Sequence, residues 1–446
     1  MQQEIGNHLV VLLGAHGQGK STVAGLIVNE LNYVSPYALV RIDEHPQVQE
    51  NPHLRYAFLM DRLRTERKTK QTQIFSTFHF TISNKKYTLI NIPGQYQYIN
   101  QMQLGIAYGE IAVFVLSGVK EKYVQDFKGQ STLELQLRLW MALGKKHIIC
   151  AINDMDLVEY QQDCYEYVVN DFSQRLAKFE INPKQISFVP ISLIDAENIN
   201  TKKQHMDWYK GPTLIEALDQ IQIDDIEDLV SKPLRFVMHD CIKIPGVGTV
   251  ALGKLLYGTL MPNQILSFAP VPLKSSVKAI ENHHFILNKG FPGYLIGVHL
   301  SNLSHKDIKN GYVFSDIDNN PALECATFVV KLKLMEDFKH QLKPKQYYTI
   351  HFLTKRMQCS IVQISQKTSL NDQNQNIENP QDLKAGDVGV VEFKPIKQIT
   401  LENHFDYPQL GKIAIVDNRH MIAYGVILEV KKKEINQKPL KKVQNQ

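Results

Sequence analysis

Cysteine is scarce in this chain. The five present (Cys150, Cys164, Cys241, Cys325 and Cys359) are scattered with no CxxC pair, so neither a disulfide framework nor a zinc knuckle is indicated. No apolar run approaches the roughly 20 residues needed to cross a bilayer. The opening MQQEIGNH lacks the charged-then-apolar layout of a secretory leader, so the expected compartment is cytoplasmic, with no membrane partner. A strong excess of either charge is also missing: the net charge of +5 over 446 residues permits an anionic partner such as RNA or an acidic polymer without demanding one. What remains, 43% apolar and 21% charged residues, is the composition of a folded protein, and the length calls for two to four cores.

Up to about residue 229, short apolar runs alternate with segments of helical period. The runs are His8 to Leu13, Tyr87 to Ile92, Ile111 to Leu116, His147 to Ile152 and Ile186 to Ile191; the helices are Thr22 to Leu31, Thr132 to Leu143, Tyr165 to Phe179 and Thr213 to Ile221. This pattern predicts an α/β domain with a parallel sheet over residues 1–229. Beyond Ser231-Lys232-Pro233 the texture changes to short β-rich stretches broken by Gly, Pro and Asn, which suits antiparallel β-barrels. A break near Pro321 divides them into 230–322 and 323–433, leaving a basic tail, 434–446, that is either solvating sequence or a contact for RNA or an acidic filament.

Gly14-Ala15-His16-Gly17-Gln18-Gly19-Lys20-Ser21 fits GxxxxGKS between an apolar strand and a helix, the context this phosphate-binding loop requires. Its glycines let backbone N–H groups curl round phosphates, Lys20 reaches the outer phosphates, and Ser21 can coordinate Mg²⁺. Asn153-Asp154-Met155-Asp156, of the form NxxD, follows the fourth apolar run. A carboxylate at Asp156 accepts the two donors on the guanine edge, where adenine would present a lone pair. Asn91-Ile92-Pro93-Gly94-Gln95 stands in the place of a DxxG motif, and the Gly94 N–H can sense a γ-phosphate. Thr72 is either a β-prone residue leading into a strand or the switch-loop hydroxyl for Mg²⁺.

Read in order, these motifs resemble those of eukaryotic elongation factor 1-alpha, a P-loop GTPase domain followed by two β-barrels. Residues 55–63 (RYAFLMDRL) resemble the family's YAWVLDKL, and Phe188 to Ser192 match FVPIS. In the first barrel, Gly246 to Val250 and Phe268 to Val271 resemble GIGTV and FAPV; in the second, Asp406 to Gly411 with Asp417 and Arg419 resemble SDYPPLGRFAVRDMRQ. The resemblance implies GTP/GDP and Mg²⁺ as cofactors. It implies nucleotide contacts at Gly14, Gly17, Gly19, Lys20, Ser21, Thr22, Gly94, Asn153, Asp156 and Ser192, metal ligation by Ser21 and Thr72, and water orientation by Gln95. It also implies aminoacyl-tRNA and the ribosome as partners, with a cytoskeletal filament as the alternative.

The departures fall at chemically telling positions. The DxxG aspartate is Asn91, which removes a charge from the metal's surroundings, and the water-positioning histidine is Gln95, a residue type that serves that role in Ras-type enzymes. His16 and Gln71 make the family's apolar water gate polar, Asp154 replaces the lysine of NKMD, and Leu193 crowds the base pocket. Among the tRNA-contacting positions, His283-His284 is followed by Phe285 instead of glutamate, and Leu353 replaces the histidine of CHTA. The two histidines are either ordinary surface groups or retained contacts. Two readings follow: a divergent elongation GTPase with weakened hydrolysis, and a pseudo-GTPase adaptor.

Overall fold

The computed structural model describes residues 7–128, 132–179, 181–223, 227–283, 285–353, 355–369, 376–417 and 419–433. His284, Thr354 and the basic tail lie outside them. The chain divides into two compact units. One holds Met1–Asp228 with Leu353–Arg356 and Ala414–Ile422; the other holds Leu229–Phe352, Met357–Ile413 and Ala423–Gln446. Among the described residues, no helix is long and apolar enough to cross a membrane.

The first unit is built on strands β1 (Asn7–Leu13), β2 (Ser76–Ile82), β3 (Lys85–Asn91), β4 (Ile111–Ser117), β5 (His147–Asn153) and β6 (Ser187–Pro190), in the order β2-β3-β1-β4-β5-β6. All five apolar runs read from the sequence are strands here, parallel to one another. The strand that periodicity did not reveal is β2, an antiparallel edge with one fully buried residue in its first five. Helices α1 (Lys20–Glu30), α2 (Pro36–Asp43), α3 (Pro46–Glu50), α4 (Leu54–Met60), α5 (Arg64–Thr69), α6 (Ile99–Tyr108), α7 (Lys120–Gln125), α8 (Leu133–Ala142), α9 (Gln162–Ala177) and α10 (Leu214–Gln220) connect them. Strands β1 and β4 are continuous apolar runs because helices cover both faces of a parallel sheet. Val10, Leu12, Val113, Val115, Ile149 and Ala151 pack there with Val23, Ile27, Leu214 and Leu218. Ligand-bearing loops then leave the carboxyl ends of the strands, where open α/β sheets bind.

In the second unit, β7 (Arg235–Ile244), β8 (Gly248–Tyr257), β9 (Ile265–Ala269), β10 (Leu273–Asn282), β11 (Phe285–Leu287), β12 (Leu295–Leu300) and β13 (Val313–Asp316) form one sheet, closed by pairing of β9 with β10. Strands β14 (Cys325–Leu334), β15 (Tyr347–His351), β16 (Arg356–Thr368), β17 (Asn376–Glu378), β18 (Val388–Pro395), β19 (Lys412–Asp417) and β20 (His420–Lys432) form the other, closed by β15 on β16. Closure removes most of the free edge, and the two antiparallel β-barrels expected from the texture of the sequence result.

Candidate nucleotide site

After β1 the chain turns through Gly14 (φ +146°), Gly17 (+82°) and Gly19 (+85°) into α1. Glycine is obligatory at Gly14, where a β-carbon would stand 2.6 Å from the Val115 carbonyl oxygen. The carboxamide of Gln136 on α8 clamps this residue from both sides: its Oε1 accepts from Gly14 N at 2.8 Å and its Nε2 donates to Gly14 O at 3.1 Å. The same Nε2 donates to Thr132 Oγ1 at 2.9 Å, and that hydroxyl donates to Gly94 O at 2.6 Å. One helix start thus ties the phosphate loop to the segment that carries Gly94. Neither Thr132 nor Gln136 was singled out from the sequence, since an amide on a helix carries no motif.

Lys20 is 6% exposed, and its Nζ donates to Gly14 O (2.9 Å) and Ala15 O (2.7 Å). Burial lowers its pKa to about 8, against the pull of Asp126 and Asp61. An anion at this ammonium therefore meets a charge that the fold has already desolvated. Gly94 lies against the same loop, since a β-carbon there would be 2.7 Å from Lys20 Nζ and 2.8 Å from His16 N. Gln95 is half-buried, and its Oε1 accepts from Gln97 Nε2 at 2.7 Å. His16 and Gly17 are exposed at the tip, Gln71 is partly exposed, and Thr22 is a partly exposed residue of α1.

Beside the loop, four side chains converge. Ser21 Oγ and Thr72 Oγ1 are 2.9 Å apart; Asp61 Oδ1 accepts from Thr72 at 2.9 Å and from Ser21 at 3.4 Å; Asn91 Nδ2 donates to Ser21 Oγ at 2.9 Å. Thr72 reaches this point because the segment before it is pinned. The buried Glu66 carboxylate accepts from Leu63 N (2.9 Å), Gln73 N (2.9 Å) and Ile74 N (3.2 Å), and Arg67 donates to Asp61 O and Phe58 O. Asp61 was not proposed as a site residue from the sequence, although it is the acid matching YAWVLDKL. Asp61 keeps one carboxylate 2.9 Å from Thr72, beside the position where Asn91 no longer supplies a second. Burial raises the Asp61 pKa to about 6, opposed by hydrogen bonds from Thr72 and Ser21. The donor set fits Mg²⁺, being hard oxygen throughout, and a buried acceptor, Asn91 Oδ1, stands beside it with no hydrogen-bond partner.

At the other end of the site, Asn153 closes β5 and its Nδ2 donates to Gln18 O at 3.3 Å and to Asp154 Oδ1 at 3.0 Å. Ser192 Oγ donates to Asp156 Oδ1 at 2.9 Å, which orients that carboxylate. Gln18 is buried, with its Nε2 on the Asp126 carboxylate, whose own pKa is raised to about 6 by burial. Leu193, expected to crowd the base pocket, lies against the phosphate loop: a β-carbon on Gly19 would be 2.5 Å from Leu193 Cδ1 and 3.2 Å from Asn153 Nδ2. All the predicted site residues lie in the first unit, at the end of β5, on loops following β1, α5, β3, β5 and β6, or at the start of α1.

Residues 7–224 match the family model for the elongation factor Tu GTP-binding domain, and residues 327–428 match that for the C-terminal domain of GTP-binding eEF1A-like proteins. Elongation factor 1-alpha 1 of Euplotes crassus is 32% identical over 437 residues, 97% of this chain and 98% of that protein. The chain belongs to the elongation factor 1-alpha family. Elongation factor 1-alpha of Plasmodium falciparum (isolate K1 / Thailand) is similar, 31% identical over 428 residues and 96% of each chain. Among solved structures, the GTP-bound Ski7 GTPase-like domain of S. cerevisiae superposes with a TM-score of 0.74 at 16% identity, covering 94% of this chain and 97% of that one. The elongation factor SelB of Methanococcus maripaludis, with a GTP analogue, gives 0.68 at 16% identity, covering 96% and 80%. These two show the shared fold. None of these four proteins is named for a cytoskeletal filament, and the likenesses lend that partner no support.

Proposed function

We propose that this family member is a guanine-nucleotide switch that binds GTP and GDP with Mg²⁺, serves aminoacyl-tRNA delivery to the ribosome, and hydrolyses GTP slowly. The observation that carries it is the convergence of Ser21, Thr72 and Asp61 beside Lys20, which keeps two hydroxyls and a carboxylate at the phosphate end despite Asn91. Bound there, Mg²⁺ supplies charge neutralisation to phosphate oxygens. The chain's own groups do the rest. Lys20 and the loop N–H groups hold the phosphates, Gly94 leaves room for the γ-phosphate, and Asp156, held by Ser192, accepts from the guanine edge. Slow turnover is supported by Asn91, which leaves the site one carboxylate short, and by the polar His16 and Gln71 at the water gate.

The adaptor reading is favoured by one observation, the Leu193 side chain beside Gly19 and Asn153. Extraction of the purified full chain distinguishes the two. Bound guanine nucleotide, with Asp156→Asn shifting preference toward xanthine nucleotides, supports the switch. Equal weak retention of ATP and GTP overturns it in favour of the adaptor.

A further inference from the structure

A lysine on a different element, Lys122 of α7, reaches the residue that stands in the lysine position of the NxxD motif. Asp154 stands in the family's lysine position with φ +64°, a conformation uncommon for a residue with a side chain. Its carboxylate is fully engaged: Oδ2 accepts from Ser117 Oγ at 2.6 Å and pairs with Lys122 Nζ at 2.7 Å, while Oδ1 accepts from Asn153 Nδ2 at 3.0 Å. Asn153 in turn donates to Gln18 O in the phosphate loop. A continuous chain therefore runs from Lys122 on α7 through Asp154 and Asn153 to the loop.

We propose that Lys122 is a positioning residue for guanine nucleotide, replacing from α7 the lysine that this chain lacks at 154 and holding Asn153 in place through Asp154. The inference rests on the guanine-nucleotide reading above. Three features separate it from an incidental surface pair. The Asp154 side chain is only 13% exposed, so loss of the ammonium leaves a largely buried carboxylate beside Asn153. Ser117, the last residue of β4, fixes the second donor to the same oxygen, so the geometry belongs to the sheet rather than to two free side chains. Asp126, one residue beyond α7, grips Gln18 of the same loop, so α7 meets the nucleotide site at two points. Lys122 itself is 38% exposed, which leaves the pair partly open to screening by salt.

The experiment is a titration of the full chain with fluorescently labelled GDP at low and high salt, on the wild type and on Lys122→Ala, Lys122→Arg, Asp154→Lys and Lys122→Ala/Asp154→Lys. Lys122→Ala weakens GDP about tenfold at low salt, and the gap narrows at about 1 M salt, as expected for a coupled charge pair. Lys122→Arg binds within about threefold of wild type. Asp154→Lys alone, with two ammonium groups facing each other, binds worse than Lys122→Ala/Asp154→Lys, which returns the lysine to the motif and recovers most of the affinity. A merely structural role for Lys122 lowers the melting temperature but gives neither the salt-dependent gap nor the rescue by Asp154→Lys. If the wild type binds and Lys122→Ala binds equally well, or if the double variant is no better than the single ones, the inference is overturned and the nucleotide reading stands. If the wild type binds no guanine nucleotide, both fall.

Discussion

Two regions of this molecule bury charge, and they treat it in opposite ways. In the second unit, where the two barrels join, Arg235 is fully buried with its guanidinium on Glu402 at 2.8 Å, further donors on Leu234 O and Asn320 O, and its face 4.4 Å from the Tyr407 ring. Lys432 completes the set on the second oxygen of Glu402 at 2.9 Å. Every charge there has an opposite partner. In the nucleotide site of the first unit, Lys20 rests on carbonyls while Asp61 and Asp126 are desolvated enough to titrate near 6. The joint is finished by the fold alone; the nucleotide site is held in an electrostatically costly arrangement that an anion and a cation together would relieve. Stability is given up where ligands bind and kept where barrels meet.

The largest effect that tests this contrast is at the joint. Arg235→Met leaves Glu402 buried with only Lys432 for company and removes the contact with Tyr407, so the second unit should lose about 3 kcal/mol, the lower end of the cost of breaking a buried pair. Calorimetry should show its transition falling by roughly 10 °C. Adding Glu402→Leu should return most of that loss, because a buried apolar pair costs less than a buried carboxylate that has lost its guanidinium partner. A single-variant loss below about 1 kcal/mol would mean that the joint is not held by charge pairing.

A middling effect of opposite sign is expected at Asp61. Its folded pKa of about 6 lies above the ordinary value of 3.8, so the folded chain binds this proton more tightly than the unfolded one. The associated stability is present below the unfolded value and lost as pH rises through about 6. Without nucleotide and Mg²⁺, Asp61→Asn should therefore stabilise the first unit at about pH 7.5, by about 2 kcal/mol, and the advantage should fade as pH is lowered toward about 4. With Mg²⁺ and GDP the order should invert, with metal affinity reduced about 10 to 100-fold. Parallel melting curves of wild type and variant at every pH would show that Asp61 is not desolvated in the way the structure implies.

How much of this could be read from the sequence depended on whether a residue's job is local. The glycines of the phosphate loop, Lys20, Ser21, Asn153 and Asp156 announce themselves because each acts within a few residues of a strand end, and the parallel strands do so because both faces are buried. Asp61, Gln136 and Lys122 act across 11, 122 and 32 residues of chain, on Thr72, Gly14 and Asp154 respectively. No spacing rule links such pairs, and only the packing of α7, α8 and the segment after α4 brings them together. The edge strand β2 escaped for a related reason: half-exposed on both faces, it has no clear period of two. The sequence reading of Asn91 as a lost charge took no account of Asp61, a carboxylate that the fold keeps beside Ser21 and Thr72.

The smallest effect expected is the one that the altered motif would rank first. Asn91 is fully buried, donates to Ser21 Oγ, and leaves its Oδ1 without a partner. In Asn91→Asp that amide becomes a carboxylate joined through the same Ser21 hydroxyl to Asp61, whose own charge is already disfavoured by burial. Two like charges in one dry site raise each other's pKa, so without Mg²⁺ the variant should be less stable than wild type at neutral pH and recover as the pair takes up a proton. With Mg²⁺ and GTP the added charge supports a site that already contains one carboxylate. Single-turnover hydrolysis should therefore rise about threefold, or about 0.65 kcal/mol of barrier, well short of the roughly tenfold or more that a restored sole carboxylate could give. Gln95→His, which frees the position from Gln97, should then match or exceed it. A gain of about a hundredfold from Asn91→Asp alone would show that the retained Asp61 carboxylate does not by itself sustain the metal site, and that the phosphate end of the site is as depleted as its motif.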